Sequence, residues 1–371
     1  MTGREVGAIA FGAFVLAMVA GTGLAVVRDR RELRTETSAG RRSWIVPAGV
    51  AGALLLLLAA ATCEATRPPP RTATTSGNGI APPTLGGTAP CLPASTAVRL
   101  SAKGLRFSTG IGGCLAAPEL TPFSISFENM DRGVQHNVGI FAGPRMYSIN
   151  SPTLFRGRLV EGPGTVVYQV HALPPGLWTF HCDIHPDQMY GAFVVPLVVT
   201  DSGFSPPRAT MTQGNSMVWW FSPQDRQSHT VTDASGVFGG PGGDLDSGVR
   251  PAGSSFAFKF LSAGSYPVVD RRTSNAAVIE VPVRIRPTPG MEGLHDIVWS
   301  LMDALPPFVF DVQILRPGSA TFAAFRQGQT ATSAGFMPDA GPGRYEFRAR
   351  LRNTATGKAS GWSPPAILEV R

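Results

Sequence analysis

The sequence predicts an all-β protein carried on an N-terminal pair of membrane-spanning helices. Three observations predict it: 43 Gly and 33 Pro among 371 residues, many short apolar runs in which alternate residues share a face, and two long uncharged stretches within the first 62 residues. Helical periodicity is weak beyond those stretches. The length leaves room for several modules, and the composition shifts divide the chain into 1–62, 63–95, 96–198, 199–284 and 285–371.

Residues 6–27 are 22 in a row without a charge, and residues 44–62 are another 19. Each is close to the ~20 residues that cross a bilayer as a helix. Between them lie Arg28, Arg30, Arg31, Arg34, Arg41 and Arg42 against Asp29, Glu32 and Glu36, which makes the intervening loop cytoplasmic and sends both ends outward. The expected location is the plasma membrane, with a multi-pass anchor and extracytoplasmic C-terminal domains. A cleaved signal peptide is the alternative for the first span, which is long for one and lacks a small-x-small cleavage site. The net charge of +7 suggests a nucleic-acid partner until it is located. Nearly half of the excess sits beside the spans, and no basic patch interleaved with aromatics occurs elsewhere, so no nucleic acid is expected.

Residues 63–95 are rich in Pro, Thr, Gly and Ser and too poor in large apolar side chains to fold. They read as a disordered linker. Cys91 stands near its end and Cys114 comes 23 residues later. In an oxidising compartment the two are expected to pair.

The chemistry concentrates in the segment Phe180-His-Cys-Asp-Ile-His-Pro-Asp-Gln-Met189, with an isolated His136 upstream. Together they offer two imidazoles, a thiolate and a thioether, the donor set of a mononuclear blue-copper site. Alternation places Trp178, Phe180 and Cys182 on one inward face and sends Thr179 and His181 outward. His136 shares a face with Val138 and Ile140 and enters the same interior. Pro186 stiffens a turn that can fold His185 and Met189 back over the thiolate.

On Phe123-Ser-Ile-Ser-Phe127, on Asn129, Asp131 and His136-Asn137-Val138, and on Gly176-Leu-Trp-Thr-Phe-His-Cys182 with its ligand loop, residues 96–198 resemble the cupredoxin family, its plastocyanin-like and amicyanin-like members above all. The resemblance implies a Greek-key barrel holding one type 1 copper on His136, Cys182, His185 and Met189. It also implies that Asn137 ties the two ligand loops together beside the sulfur. Three residues separate His185 from Met189, where amicyanins have two and plastocyanins four, so Gln188 is the alternative axial donor.

Residues 199–284 repeat the rhythm and look like a second cupredoxin-like barrel. Counting from Gly176 and Gly264, however, Cys182 falls on Asp270, His185 on Thr273 and Met189 on Ala277. This barrel is expected to lack copper, with His229 a polar side chain near the surface. Residues 285–371 resemble a fibronectin type III domain, an immunoglobulin-like sandwich, through Trp299, the strand around Tyr345 and the exit Gly361-Trp-Ser-Pro. Arg348, Arg350 and Arg352 share its outward face, either solvated or a docking patch for an acidic partner or a lipid headgroup.

The expected function is electron transfer by an outward-facing membrane-anchored blue-copper protein, whose redox partner docks near His185. Copper binding or delivery is the alternative. A copper oxidoreductase such as a nitrite reductase-like enzyme is the less favoured one, since six histidines with no His-x-His pair leave no evident second copper centre. We expect an electron carrier and no catalytic residue. A protein partner is expected for the last module.

Overall fold

The computed structural model describes residues 91–142 and 152–371; the expected spans and nearly all of the linker lie outside them. Every regular element among the described residues is a β-strand. No helix among them is long and apolar enough to cross a membrane.

The first sandwich faces a three-stranded sheet, Ala97–Ala102, Phe123–Asn129 and Gly164–Val170, against a five-stranded one. The latter runs Gly113–Ala116, Tyr190–Val195, Gly176–His181, Gly139–Phe141 and Thr153–Arg156. The strand Phe123–Asn129 shows how sequence builds this. Its Phe123, Ile125 and Phe127 are buried while Ser126 and Glu128 are exposed, so one face of a two-residue repeat supplies core. Across the gap Ile140, Trp178, Phe180 and Phe193 complete the apolar cluster. Each such side chain contributes roughly 1.5–3 kcal/mol by leaving water. Cys91 and Cys114 are joined by a disulfide, as expected.

The second sandwich repeats seven strands of the first in order and direction. Leu197–Thr200 runs parallel to Ser216–Phe221, which is antiparallel to Ser255–Lys259. Likewise Ala97–Ala102 runs parallel to Phe123–Asn129, itself antiparallel to Gly164–Val170. In the other sheet Arg208–Thr210, Ala276–Val281, Gly264–Val269 and Thr232–Asp233 take the order and directions of Gly113–Ala116, Tyr190–Val195, Gly176–His181 and Gly139–Phe141. The strand Leu197–Thr200 straddles the boundary expected at residue 198 and belongs wholly to the second sandwich. A small apolar seam of Leu92, Ala116, Val194, Val218 and Ala257 joins the two, beside Cys91.

The third sandwich packs Arg284–Pro287, His295–Val298 and Ser333–Phe336 against Ala323–Gln329, Phe308–Leu315, Gly343–Asn353 and Ala366–Val370. Trp299 and Tyr345 are both buried in its core. The Tyr345 hydroxyl accepts the Ala340 N–H and donates to the Gly341 carbonyl, each at 2.8 Å, pinning the turn before its own strand. One apolar cluster runs continuously from the second sandwich into this one.

The arginine face is not a row of free cations. Arg350 and Arg352 both donate to Asp311, while Arg348 donates to Gln313 and covers Phe322 and Trp362. Burial alone would push the Asp311 carboxyl up; the bonds from Arg352, the Gly328 N–H and Arg350 outweigh it and hold the group at about 2.

Candidate metal centre

Cys182 directly follows the strand Gly176–His181, and Tyr190, paired with His181, opens the returning strand Tyr190–Val195. The intervening loop is closed at its base by the Cys182 N–H donating to the Met189 carbonyl at 2.9 Å. It is turned by the Gln188 and Met189 N–H groups, both donating to the His185 carbonyl. His136 arrives separately, from the short strand Gln135–His136 paired with Val160–Glu161.

These two pieces of backbone bring three of the predicted ligands together. Cys182 Sγ lies 3.7 Å from His136 Nδ1, and His185 Nδ1 lies 3.2 Å from that same nitrogen. The three donor atoms all fall within 4.8 Å of one another. Donors each ~2 Å from a common ion stand ~3–4 Å apart, so the cluster fits one ion. Met189 is fully buried in the same apolar cluster as Cys182, whereas Gln188 is exposed. Of the two axial alternatives, the thioether is the one on the inside.

Asp131 is the group to which sequence reasoning assigned no task. Its Oδ2 stands 3.0 Å from His136 Nε2. The same carboxylate accepts the N–H groups of Gly104 at 2.6 Å and Leu105 at 2.9 Å. Both of those residues have positive φ, 61° and 57°, which aims two successive N–H groups at one anion. Desolvation pulls the Asp131 pKa up, yet the Leu105 and Gly104 donors and the His136 ring outweigh it and lower it. An ionised Asp131 only accepts, so Nε2 of His136 carries the proton and Nδ1 turns its lone pair toward Cys182 and His185. The signal that could have found it is a carboxylate five residues before an inward His, but the loop that holds it comes from elsewhere in the chain.

Asn137 sits at the junction the resemblance implies for it. Its side chain accepts the Asp183 N–H at 2.9 Å, donates to Asp183 Oδ2 at 2.8 Å and donates to the Gly157 carbonyl at 2.9 Å. The strand carrying His136 is thereby locked to the loop carrying Cys182. Arg156 reaches the same Asp183 carboxylate at 3.2 Å.

His136 and Cys182 are buried and His185 is partly exposed, so of these donors it is the route to solvent. Burial, with His136 beside it, lowers the His185 pKa and favours the neutral ring that ligates a metal.

Two further histidines are more buried than a side chain facing outward or lying near the surface would be. His181 points away from the donor cluster, as alternation predicts, but is not solvated. Phe141 on the neighbouring strand stacks on it at 4.0 Å with the rings 2° from parallel, leaving it 4% exposed. His229, expected near the surface, is 1% exposed among Asp201, Asp225 and Asp270. In both cases the missing information was which neighbouring element covers the side chain.

No family model and no curated protein matches the chain. Among solved structures, reduced auracyanin from the photosynthetic bacterium Roseiflexus castenholzii is 18% identical, covering 28% of this chain and 98% of its own, with a TM-score of 0.24. Auracyanin A, a blue copper protein from Chloroflexus aurantiacus, is 20% identical over 27% of this chain and 97% of its own, again at 0.24. An amicyanin variant is 20% identical over 28% of this chain and 85% of its own, at 0.20. Likenesses this low decide nothing about the site, whose chemistry is carried by the donor geometry.

Proposed function

We propose that the protein is a cupredoxin-type electron carrier holding one type 1 copper on His136, Cys182, His185 and Met189. The observation that carries the proposal is the convergence of Cys182 Sγ with Nδ1 of His136 and of His185, with Met189 buried in the same apolar cluster as Cys182. Bound there, copper would supply a one-electron couple poised by a soft trigonal donor set. The chain's own contribution is rigidity and dryness. Asp131 fixes the His136 ring, Asn137 locks the two ligand loops, and the aromatic interior keeps water from the thiolate.

Exchange of an electron needs an edge and not an opening, which His185 provides beside the exposed apolar Ile184. That edge is our proposed docking place for a redox partner. Copper delivery fits less well, because handing over an ion requires accessible donors and Cys182 is fully buried. An enzyme reading needs a second centre near His181, whose ring is instead stacked on Phe141. A visible spectrum with redox titration tests the proposal: an intense blue band that bleaches and returns with one electron per chain supports it, and a colourless cuprous-only protein refutes it.

We further propose outward-facing anchorage in the plasma membrane. The Cys91–Cys114 bridge supports an oxidising location. Reporter fusions at Ser38 and Ser76 should read cytoplasm and exterior respectively; the same side for both would refute it. The third sandwich, with its three-plus-four strands and Tyr345 corner, is proposed to be fibronectin type III-like and to act with the second as a spacer and docking surface.

A further inference from the structure

The second sandwich carries its own convergence of donors, at the place equivalent to the first. Gly139 pairs with His181 in the first sandwich and Thr232 with Val269 in the second. His136 precedes Gly139 by three residues and His229 precedes Thr232 by three, while Cys182 and Asp270 each come directly after the partner. Hence His229 stands for His136, and Asp270 for Cys182.

Asp270 Oδ2 lies 2.8 Å from His229 Nδ1. The Asp270 carboxylate also accepts the N–H groups of Thr230 at 2.9 Å and Arg272 at 3.1 Å and the hydroxyl of Thr273 at 2.7 Å. So surrounded by donors, Asp270 is an acceptor, and Nδ1 carries the ring proton. Nε2 is the ring nitrogen left to face a ligand. That nitrogen is buried with no hydrogen-bond partner, on a side chain only 1% exposed. It is aimed between two carboxylates, with Asp201 Oδ1 at 3.1 Å and Asp225 Oδ2 at 3.6 Å, and Asp225 Oδ2 is itself buried and unpartnered. Two carboxylates converging on that buried nitrogen need a positive charge among them, which either a second ring proton or a metal ion would supply.

We propose that His229, Asp201 and Asp225 form a second metal site, for a divalent first-row ion such as Mn2+ or Zn2+. The three donor atoms lie within 4.8 Å of one another, a spread that one ion spans. One imidazole with two carboxylates suits these ions, and nothing in the set offers the thiolate that selects copper in the first sandwich. Asp270 is a positioning residue, completing the carboxylate–histidine–metal relay that fixes the tautomer. Asp201, on the turn after Leu197–Thr200, is 42% exposed and leaves an entry path with room for water as a further ligand.

The site does not depend on copper in the first sandwich, and the test separates them. The full-length chain carrying Cys182→Ser, which removes the thiolate, is titrated with Mn2+ followed by EPR and with Zn2+ followed by calorimetry. One ion per chain is expected for at least one of the two. Asp225→Asn and the exposed, fold-neutral Asp201→Asn should each weaken it about ten-fold or more, and His185→Ala should leave it unchanged. In the chain with Cys182 intact, Asp201→Asn should leave the blue band untouched. Binding of neither ion would overturn the proposal, as would binding that is lost with His185→Ala and indifferent to Asp201→Asn.

Discussion

The two N-terminal sandwiches share a strand plan and a histidine at the same place, yet they turn that histidine in opposite directions. In the first, Nε2 is anchored outside by Asp131 and Nδ1 faces the sulfur of Cys182. In the second, Nδ1 is anchored inside by Asp270 and Nε2 faces Asp201 and Asp225. Which ring nitrogen is free depends on where the nearest ionised carboxylate stands. Exchanging a soft sulfur for a hard carboxylate at one register position moves the available ring nitrogen from the apolar interior to the sandwich's rim. The fold supplies a pair of adjoining loops; the residue after the strand Gly176–His181 or Gly264–Val269 decides what chemistry they hold.

The comparison can be broken most severely at the bridge that ties the linker end to the first sandwich. Reducing Cys91–Cys114, for which the second sandwich has no counterpart among the described residues, should destabilise the first unfolding transition by on the order of 3 kcal/mol. Chemical denaturation with and without reductant checks it. Asp131→Asn strikes the anchor itself. It should weaken copper binding by about 10–100-fold while leaving binding of Mn2+ or Zn2+ at His229 unchanged, as competition with a chelator would measure.

A pH experiment sharpens the contrast with the third sandwich, whose charged cluster pairs its carboxylate with arginines. The Asp311 carboxyl is held at about 2 in the folded chain, below its ordinary value near 4. Its contribution to stability is therefore fully present above pH ~4 and is lost as pH falls from ~4 toward ~2. Other carboxylates titrate there too, so the readout is the difference between the parent and Asp311→Asn. That difference should be about 1–2 kcal/mol at pH 6, allowing for solvent screening, and close to zero at pH ~2.

The smallest effect belongs to the axial position. Met189→Leu conserves volume in a buried site and should cost under about 1.5 kcal/mol of stability while keeping the blue band and shifting the potential. Loss of colour in this variant would mean that the thioether fixes the geometry rather than tuning it.

Much of the first site could be anticipated from the chain because its donors are chemically scarce. A Cys, two His and a Met in one alternating pattern have few other joint uses, and period two tells which faces they share. Asp131 escaped because its role is created by the Gly104–Leu105 turn, about 26 residues upstream in sequence. The three carboxylates around His229 come from separate turns, so nothing local marked that residue as more than a polar side chain. His181 was assigned the correct face, but the sequence does not say that Phe141 covers that face. Alternation resolves the two sides of a strand; burial of the outer side is decided by tertiary neighbours.

One scaffold position, on this account, makes a copper site in the first sandwich and not in the second. The most direct test is metal analysis together with visible absorption on the full-length chain loaded with Cu2+, compared across Cys182→Ser, His181→Ala and His229→Ala. We predict one copper per chain with an intense thiolate-to-copper band, abolished by Cys182→Ser and retained in both histidine variants. Two coppers per chain, or a blue band that disappears with His181 or His229, would contradict it.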